Sequence, residues 1–195
     1  MPIGSFTAVP YLAKILAVRR PARILDLGIG SGFLGAIVRQ WVDLGVQPWR
    51  SLLIGVEVWA EYRNPLWDLY NLVIIETIQE YLSRHCEEFD CILLGDVLEH
   101  FEIREGVELL EQLKSRVAPD GVLLVATPAQ FHEQAAVHGN EFERHRSVWT
   151  AQQLEELGFQ TLLSGFEPQI SFVPTLFSFW EPRLGSLTSQ VDLAL

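Results

Sequence analysis

Asp26 ends a short apolar run and is followed by glycines at 28, 30 and 32, and the chain's chemistry begins at this spacing. Glycines at every second position take away the side chains that would block a ligand, and they permit positive φ in a tight turn. The helix expected next, from about Gly32 to Leu44, offers unpaired N–H groups at its start. Asp26 puts a carboxylate at the strand end, which suits a cationic group or a hydrogen-bond donor better than a phosphate. The dinucleotide fingerprint orders its glycines G-x-G-x-x-G, whereas the order here is Asp-x-Gly-x-Gly-x-Gly. No G-x-x-x-x-G-K-[ST] run occurs either.

Three further groups carry candidate chemistry. Glu57 closes the apolar run 51–57, and a carboxylate at such a strand end accepts both hydroxyls of a ribose. That supports a ribose without choosing among the cofactors that contain one. Asp96, Glu99 and His100 fall within one helical turn of the run Asp96-Val-Leu-Glu-His-Phe101, and His145 lies in a long segment further on. Imidazole titrates near neutrality, so His145 is the leading candidate for a general base. His100 ranks behind it, with a role in ordering the turn after strand 4, and His132 and His138 rank lower. The same acids and histidines leave open an O/N site for Mg²⁺ or Mn²⁺, but the reading assigns no metal ligand.

These groups need a frame. Strands are expected at 23–27, 51–57, 72–78, 89–95 and 122–127, each an apolar run, with helices at 9–19, 32–44, from about Pro65, 79–85 and 104–117. Pro128 opens a loop to about Ser147, a length that in compact domains marks a functional or mobile segment. A helix at 150–157 and two final strands, 160–166 and 170–180, close the chain as a hairpin across Glu167-Pro168-Gln169. The pattern predicts an α/β fold: a Rossmann-like, doubly wound, seven-stranded and mostly parallel sheet with an antiparallel C-terminal hairpin. In it Glu57 stands beside the glycine loop at the carboxyl edge of the sheet. The N-terminal helix within 1–20, the 128–147 loop and the aromatics Phe172, Phe177, Phe179 and Trp180 are candidates to line an acceptor pocket. Those aromatics read equally as core or as a dimer face, so no oligomeric state follows.

At 195 residues the chain fits one domain, 1–195. Its hydrophobic fraction of 49% and mean hydropathy of +0.19 favour a folded core over disorder. No apolar run is long enough to span a bilayer, and the first residues lack the basic and apolar regions of a signal peptide, so a soluble, cytoplasmic protein is expected. A formal charge of −11 disfavours nucleic acid and acidic membranes as partners and leaves a small molecule as the expected substrate. Two cysteines, Cys86 and Cys91, are too few for a disulfide framework.

Asp26-x-Gly28-x-Gly30-x-Gly32 resembles motif I of the class I methyltransferases that use S-adenosylmethionine, and the run after strand 4 looks like the D-V-L-E-H of many small-molecule members. Thr127-Pro128, Gly139-Asn140, His145-Arg-Ser and Trp149-Thr to Gly158-Phe159 resemble a set of small members of that superfamily. The resemblance implies that Asp26, Gly28, Gly30 and Gly32 hold the methionine end and approach the ribose. It also implies that Glu57 takes the ribose hydroxyls, Val58 lies against the adenine and Asp96 sits near the amino-acid part. Relatives commonly carry Gly-Asp after strand 3, where this chain has Glu76-Thr77, so either Glu76 or Thr77 takes the adenine amino group. The implied activity is methyl transfer from S-adenosylmethionine to a small-molecule acceptor. The alternatives are a donor-binding protein without transfer activity and a metal-assisted RNA 2′-O-methyltransferase, since small-RNA enzymes of that kind have a similar acid-x-x-Glu-His arrangement.

Overall fold

The structure is a computed structural model that describes residues 6–165 and 174–183. Its strands are β1 (Arg23–Leu27), β2 (Leu52–Glu57), β3 (Leu72–Ile75), β4 (Phe89–Gly95), β5 (Val117–Pro128), β6 (Gln160–Gly165) and β7 (Thr175–Trp180). The helices are α1 (Val9–Arg19), α2 (Phe33–Trp41), α3 (Ile78–Arg84), α4 (Ile103–Lys114) and α5 (Ala151–Glu156). One sheet contains all seven strands in the order β3-β2-β1-β4-β5-β7-β6. The first five in that order pair in parallel, and β7 runs antiparallel to both β5 and β6. The expected doubly wound sheet with a reversed C-terminal pair is therefore present. The turn proposed at Glu167-Pro168-Gln169 and the aromatic Phe172 lie outside the described residues.

Strands buried on both faces explain the near-continuous apolar runs of β1 and β4. Leu25, Leu27, Ile92 and Leu94 point to one face, where they pack with Tyr81 of α3, Leu109 and Leu113 of α4, Leu154 of α5 and Trp149. Ile24, Cys91 and Leu93 point to the other, against Leu12, Ile15 and Leu16 of α1, Val38 of α2, and Trp67 and Tyr70. β1 and β4 are neighbours from which the strand order runs outward in opposite directions, and ligands in open α/β sheets bind at such a switch point.

Four local differences from the sequence reading bear on the site. α2 ends at Trp41 rather than near Leu44, because the chain leaves the helix to bring Asp43 to the start of β2. There Asp43 accepts from the Arg50 and Ser51 amides and pairs with Arg39 at 2.7 Å. The segment after Pro65 is a short 3-10 helix, Pro65–Leu69, and not an α-helix. β3 stops at Ile75, since Thr77 forms a reciprocal capping box with Glu80 and starts α3. β5 begins at Val117, so Pro119-Asp120-Gly121 lies inside it, opposite a register shift between Phe89 and Cys91.

α2 approaches the sheet closely because Gly35 has no side chain. A Cβ there would lie 2.6 Å from Cζ and 2.8 Å from the hydroxyl of the buried Tyr70. Gly35→Ala is expected to cost about 1–3 kcal/mol by overpacking, only partly offset by alanine's gain of about 1 kcal/mol in helix propensity. Chemical denaturation with the slope held common to both proteins measures it.

Candidate active site

A cavity of about 980 Å³ opens at the carboxyl edge of the sheet. Its floor is the glycine loop, Gly28 to Ser31, and its sides come from the ends of β2 and β4, from Ala8, Val9 and Leu12 at the start of the chain, and from residues 138–146. Gly28 adopts φ +70, Gly30 φ +48 and Gly32 φ +81, all in the left-handed region that glycine enters without steric cost. A Cβ on Gly28 would collide with the Val97 side chain.

The loop is held from three sides. Glu57 accepts from the Gly30 amide at 2.8 Å with one carboxylate oxygen and from the Trp59 amide at 2.9 Å with the other. Trp67 donates its indole N–H to the Gly30 carbonyl at 2.8 Å. Asn64 donates to the Ser31 carbonyl at 2.9 Å. Each Glu57 oxygen keeps a lone pair after these bonds, so the carboxylate can also accept a vicinal pair of hydroxyls. Glu57 is buried yet on the cavity wall, and burial pushes its pKa above the ordinary carboxylate value. The groups present therefore fit an adenosine-type ligand: an open glycine cradle beside a carboxylate with acceptor capacity to spare.

Asp26 does not stand on the wall, and neither does Gly32. Side chains alternate along β1, so the carboxylate between Leu25 and Leu27 points beneath α2. It accepts from the Tyr70 hydroxyl at 2.6 Å, and that hydroxyl accepts from the Gly35 amide at 3.0 Å. Burial raises the Asp26 pKa to about 7, with the Tyr70 bond opposing and the Glu57 charge adding. Its other oxygen, Oδ1, is buried with no hydrogen-bond partner among the described residues. Asp26 is thus one layer behind the loop, with an unused acceptor.

Gly28, Gly30, Glu57, Val58, Glu76, Thr77, Asp96 and His100 all line the cavity. Glu76 pairs with Arg84 of α3. The Thr77 hydroxyl is already engaged with Glu80, as donor at 2.8 Å and as acceptor from the Glu80 amide at 3.2 Å. Asp96 holds φ +51, a left-handed conformation that aspartate tolerates better than most residues, and it turns the chain out of β4. Tyr11 of α1 is not on the wall and packs against Phe177 with ring centroids 6.1 Å apart.

The loop after β5 brings His145 to His100, with ring centroids 5.1 Å apart. Glu99 anchors it: its backbone carbonyl accepts from the Arg146 and Ser147 amides at 2.8 and 3.1 Å. His100 Nδ1 lies 3.3 Å from the Arg144 carbonyl, and His145 Nδ1 lies 2.7 Å from the His132 carbonyl. A carbonyl only accepts, so each Nδ1 carries the hydrogen and each neutral ring keeps its lone pair on Nε2. Burial lowers the His100 pKa and so favours the neutral ring, against the opposing effect of the Arg144 carbonyl. His100 reaches the wall, whereas His145 stands behind it.

Sequence reasoning passed over Tyr62, Glu143 and Phe142 and gave Asn140 no place in the site, though all four complete this side of the cavity. Tyr62 donates to Glu143 at 2.8 Å, joining the segment after β2 to the loop after β5. The aromatic-rich stretch around Tyr62 and the buried Asn140 turn were the available signals, but neither says which residue meets which.

Over residues 7–162 the chain matches the family described as "Methyltransferase domain". No curated protein matches it in sequence. Among solved structures it is similar to an O-methyltransferase family protein from Burkholderia thailandensis, with a TM-score of 0.62, 14% identity, and coverage of 90% of this chain and 55% of that one. The chain thus spans about half the length of that protein. It is also similar to the PH0226 protein from Pyrococcus horikoshii OT3, with a TM-score of 0.62, 17% identity, and coverage of 91% and 88%. The N-terminal domain of EvdMO1, crystallised in the presence of SAH and D-fucose, gives a TM-score of 0.60, 18% identity, and coverage of 93% and 85%. Glycine loop, acidic β2 end and sheet order agree with the sequence match, and the chain belongs to the methyltransferase-domain family with the class I fold.

Proposed function

We propose that this chain transfers a methyl group from S-adenosylmethionine to a small-molecule acceptor. The observation that carries the proposal is the extent of the cavity beyond the glycine loop. Pockets that hold one drug-sized ligand run to roughly 300–1,000 Å³, and this one, at about 980 Å³, is at the top of that range. We take the stretch of wall formed by Asp96, His100, Phe101 and Phe142 as the compartment of the second molecule, the acceptor. A protein that only sensed the donor would have no need of that second compartment. The formal charge of −11 argues for a metabolite over a nucleic acid as the occupant. The sugar present with the EvdMO1 domain is an acceptor-sized molecule of the class we favour.

The donor supplies an electrophilic methyl group on a positively charged sulfur. What remains for the protein is alignment, which contributes up to about 7–11 kcal/mol in well-oriented reactions, and handling of the acceptor's proton. Glu57 and the Gly28–Ser31 loop fix the donor's nucleoside end, with Glu76 and Thr77 at the adenine and Asp96 toward the amino-acid end. His100 presents its Nε2 lone pair on the acceptor side, and His145 supports it from behind.

Calorimetry with S-adenosylhomocysteine, followed by turnover of methyl-labelled donor against a metabolite pool, tests the proposal. Binding without label transfer to any acceptor would leave the sensor reading in its place. His100→Ala is expected to lower kcat by about 10²–10⁴ while S-adenosylhomocysteine affinity changes less than a few-fold; an unchanged kcat would remove His100 from the acceptor side.

A further inference from the structure

We propose that Glu99, His100 and His145 form a binding site for a divalent transition-metal ion at the acceptor end of the cavity. The ion's task rests on the methyl-transfer reading above, but its binding does not. One ligand atom from each of the three residues lies within 4.8 Å of the others. Metal–ligand distances of about 2.0–2.2 Å bring such atoms roughly 3–4 Å apart, so the cluster needs only a slight closing of the two imidazoles.

Three independent features point to an ion. Both histidines direct Nδ1 at backbone carbonyls, of Arg144 and His132, and the tautomer with its hydrogen on Nδ1 leaves Nε2 for an ion, which at His100 would compete with the Asp96 backbone. That is how metal-bound imidazoles are ordinarily oriented by their outer partners. The Glu99 carboxylate is 3% exposed and held by the Thr127 hydroxyl at 2.9 Å, which fixes its plane. Fixed in this way, Glu99 stands with one carboxylate oxygen within 4.8 Å of a ring nitrogen of each histidine. Finally, the same Glu99 receives the Arg146 and Ser147 amides, so the backbone that delivers His145 is docked on the residue it would share an ion with.

Two imidazoles and one carboxylate suit Mn²⁺, Fe²⁺, Co²⁺ or Zn²⁺ better than Mg²⁺ or Ca²⁺, which prefer all-oxygen sets. The sequence reading left open a site of Asp96, Glu99, His100 and His145; the structure brings the last three together and leaves Asp96 outside the cluster. Because His100 lines the cavity, the ion's remaining positions face the acceptor compartment. An acceptor that presents an oxygen ligand, a hydroxyl or a phenol, is the class that would gain from it. With its Nε2 on the ion, His100 would no longer take the proton itself; the ion would favour loss of the hydroxyl proton to water, and the oxygen then forms its bond to the methyl carbon. The carbon–sulfur bond breaks in that same displacement, and sulfur keeps the electron pair.

The test uses tag-free full-length chain, stripped with a chelator and titrated with Co²⁺, read by visible absorption and by displacement with Zn²⁺. One equivalent should bind, and His145→Ala and Glu99→Gln should each weaken binding by about 100-fold or more. His85→Ala, remote from the cluster, should leave it unchanged. His145 lies in a loop, so its substitution keeps the test open if Glu99→Gln fails to fold. Absence of saturable Co²⁺ binding at millimolar concentrations, or equal affinity in wild type and His145→Ala, would overturn the proposal. S-adenosylhomocysteine calorimetry run beside it separates the two readings. Donor binding without Co²⁺ binding removes only the metal site, and Co²⁺ binding without donor binding removes only the donor assignment.

Discussion

Glu57→Ala is expected to weaken S-adenosylhomocysteine binding by about 100-fold or more in calorimetry. Hydrogen bonds to a charged group contribute about 1.5–3 kcal/mol each, and the ribose offers Glu57 two. The variant also frees the Gly30 amide from its 2.8 Å bond, so the loop beneath the donor loosens at the same time. Glu57→Gln separates these effects. Its amide oxygen can still accept from Gly30, but it loses the charge and half the acceptor capacity, so a loss of about tenfold is expected. Fold stability should change little in either variant, because relief from burying a carboxylate offsets the lost bonds. Glu57→Ala that binds as tightly as wild type would remove Glu57 from the donor site.

The second large effect is a pH dependence carried by Asp26. Its folded pKa of about 7 lies above the ordinary value of 3.8 because the carboxyl is buried. The folded state therefore holds a proton between those values that the unfolded chain has released. The contribution is fully present below about pH 4 and is lost as pH rises through 7. The slope approaches about 1.4 kcal/mol per pH unit, and the total is at most about 4 kcal/mol. Asp26→Asn keeps a neutral acceptor for Tyr70 and removes the titration. The stability difference, variant minus wild type, is expected to grow by up to that amount between pH 4 and 8. Urea unfolding at a series of pH values measures it, and a difference that stays flat would show that Asp26 is not protonated in the folded protein near neutrality.

What the sequence made legible was local. Glycines 28, 30 and 32 announce a turn because no other residue takes those angles cheaply, and Glu57 announces a strand end because an apolar run stops in a charge. The central parallel strands follow from their apolar runs, since strands buried on both faces leave little room for polar residues. Contacts made across long stretches of chain were not legible. That Asp26 faces Tyr70, 44 positions away, depends on which side of the sheet β1 presents. That His145 meets His100 depends on a loop tied to the turn after β4 through the Glu99 carbonyl and its neighbours. Thr77 is an intermediate case: Thr77-Ile-Gln-Glu80 is a capping signature written plainly in the chain, and the apolar run before it drew those residues into the strand instead.

The three side chains that grip the glycine loop have a thermodynamic consequence. Trp67, Asn64 and Glu57 fix two carbonyls and one amide across Gly30–Ser31 with bonds of 2.8–2.9 Å. The most conformationally free residues of the site thus give up their entropy when the domain folds, and little remains to be lost when a ligand arrives. Readiness to bind is consequently set at folding, and a change in the indole of Trp67, outside the cavity, loosens the loop as surely as a change within it.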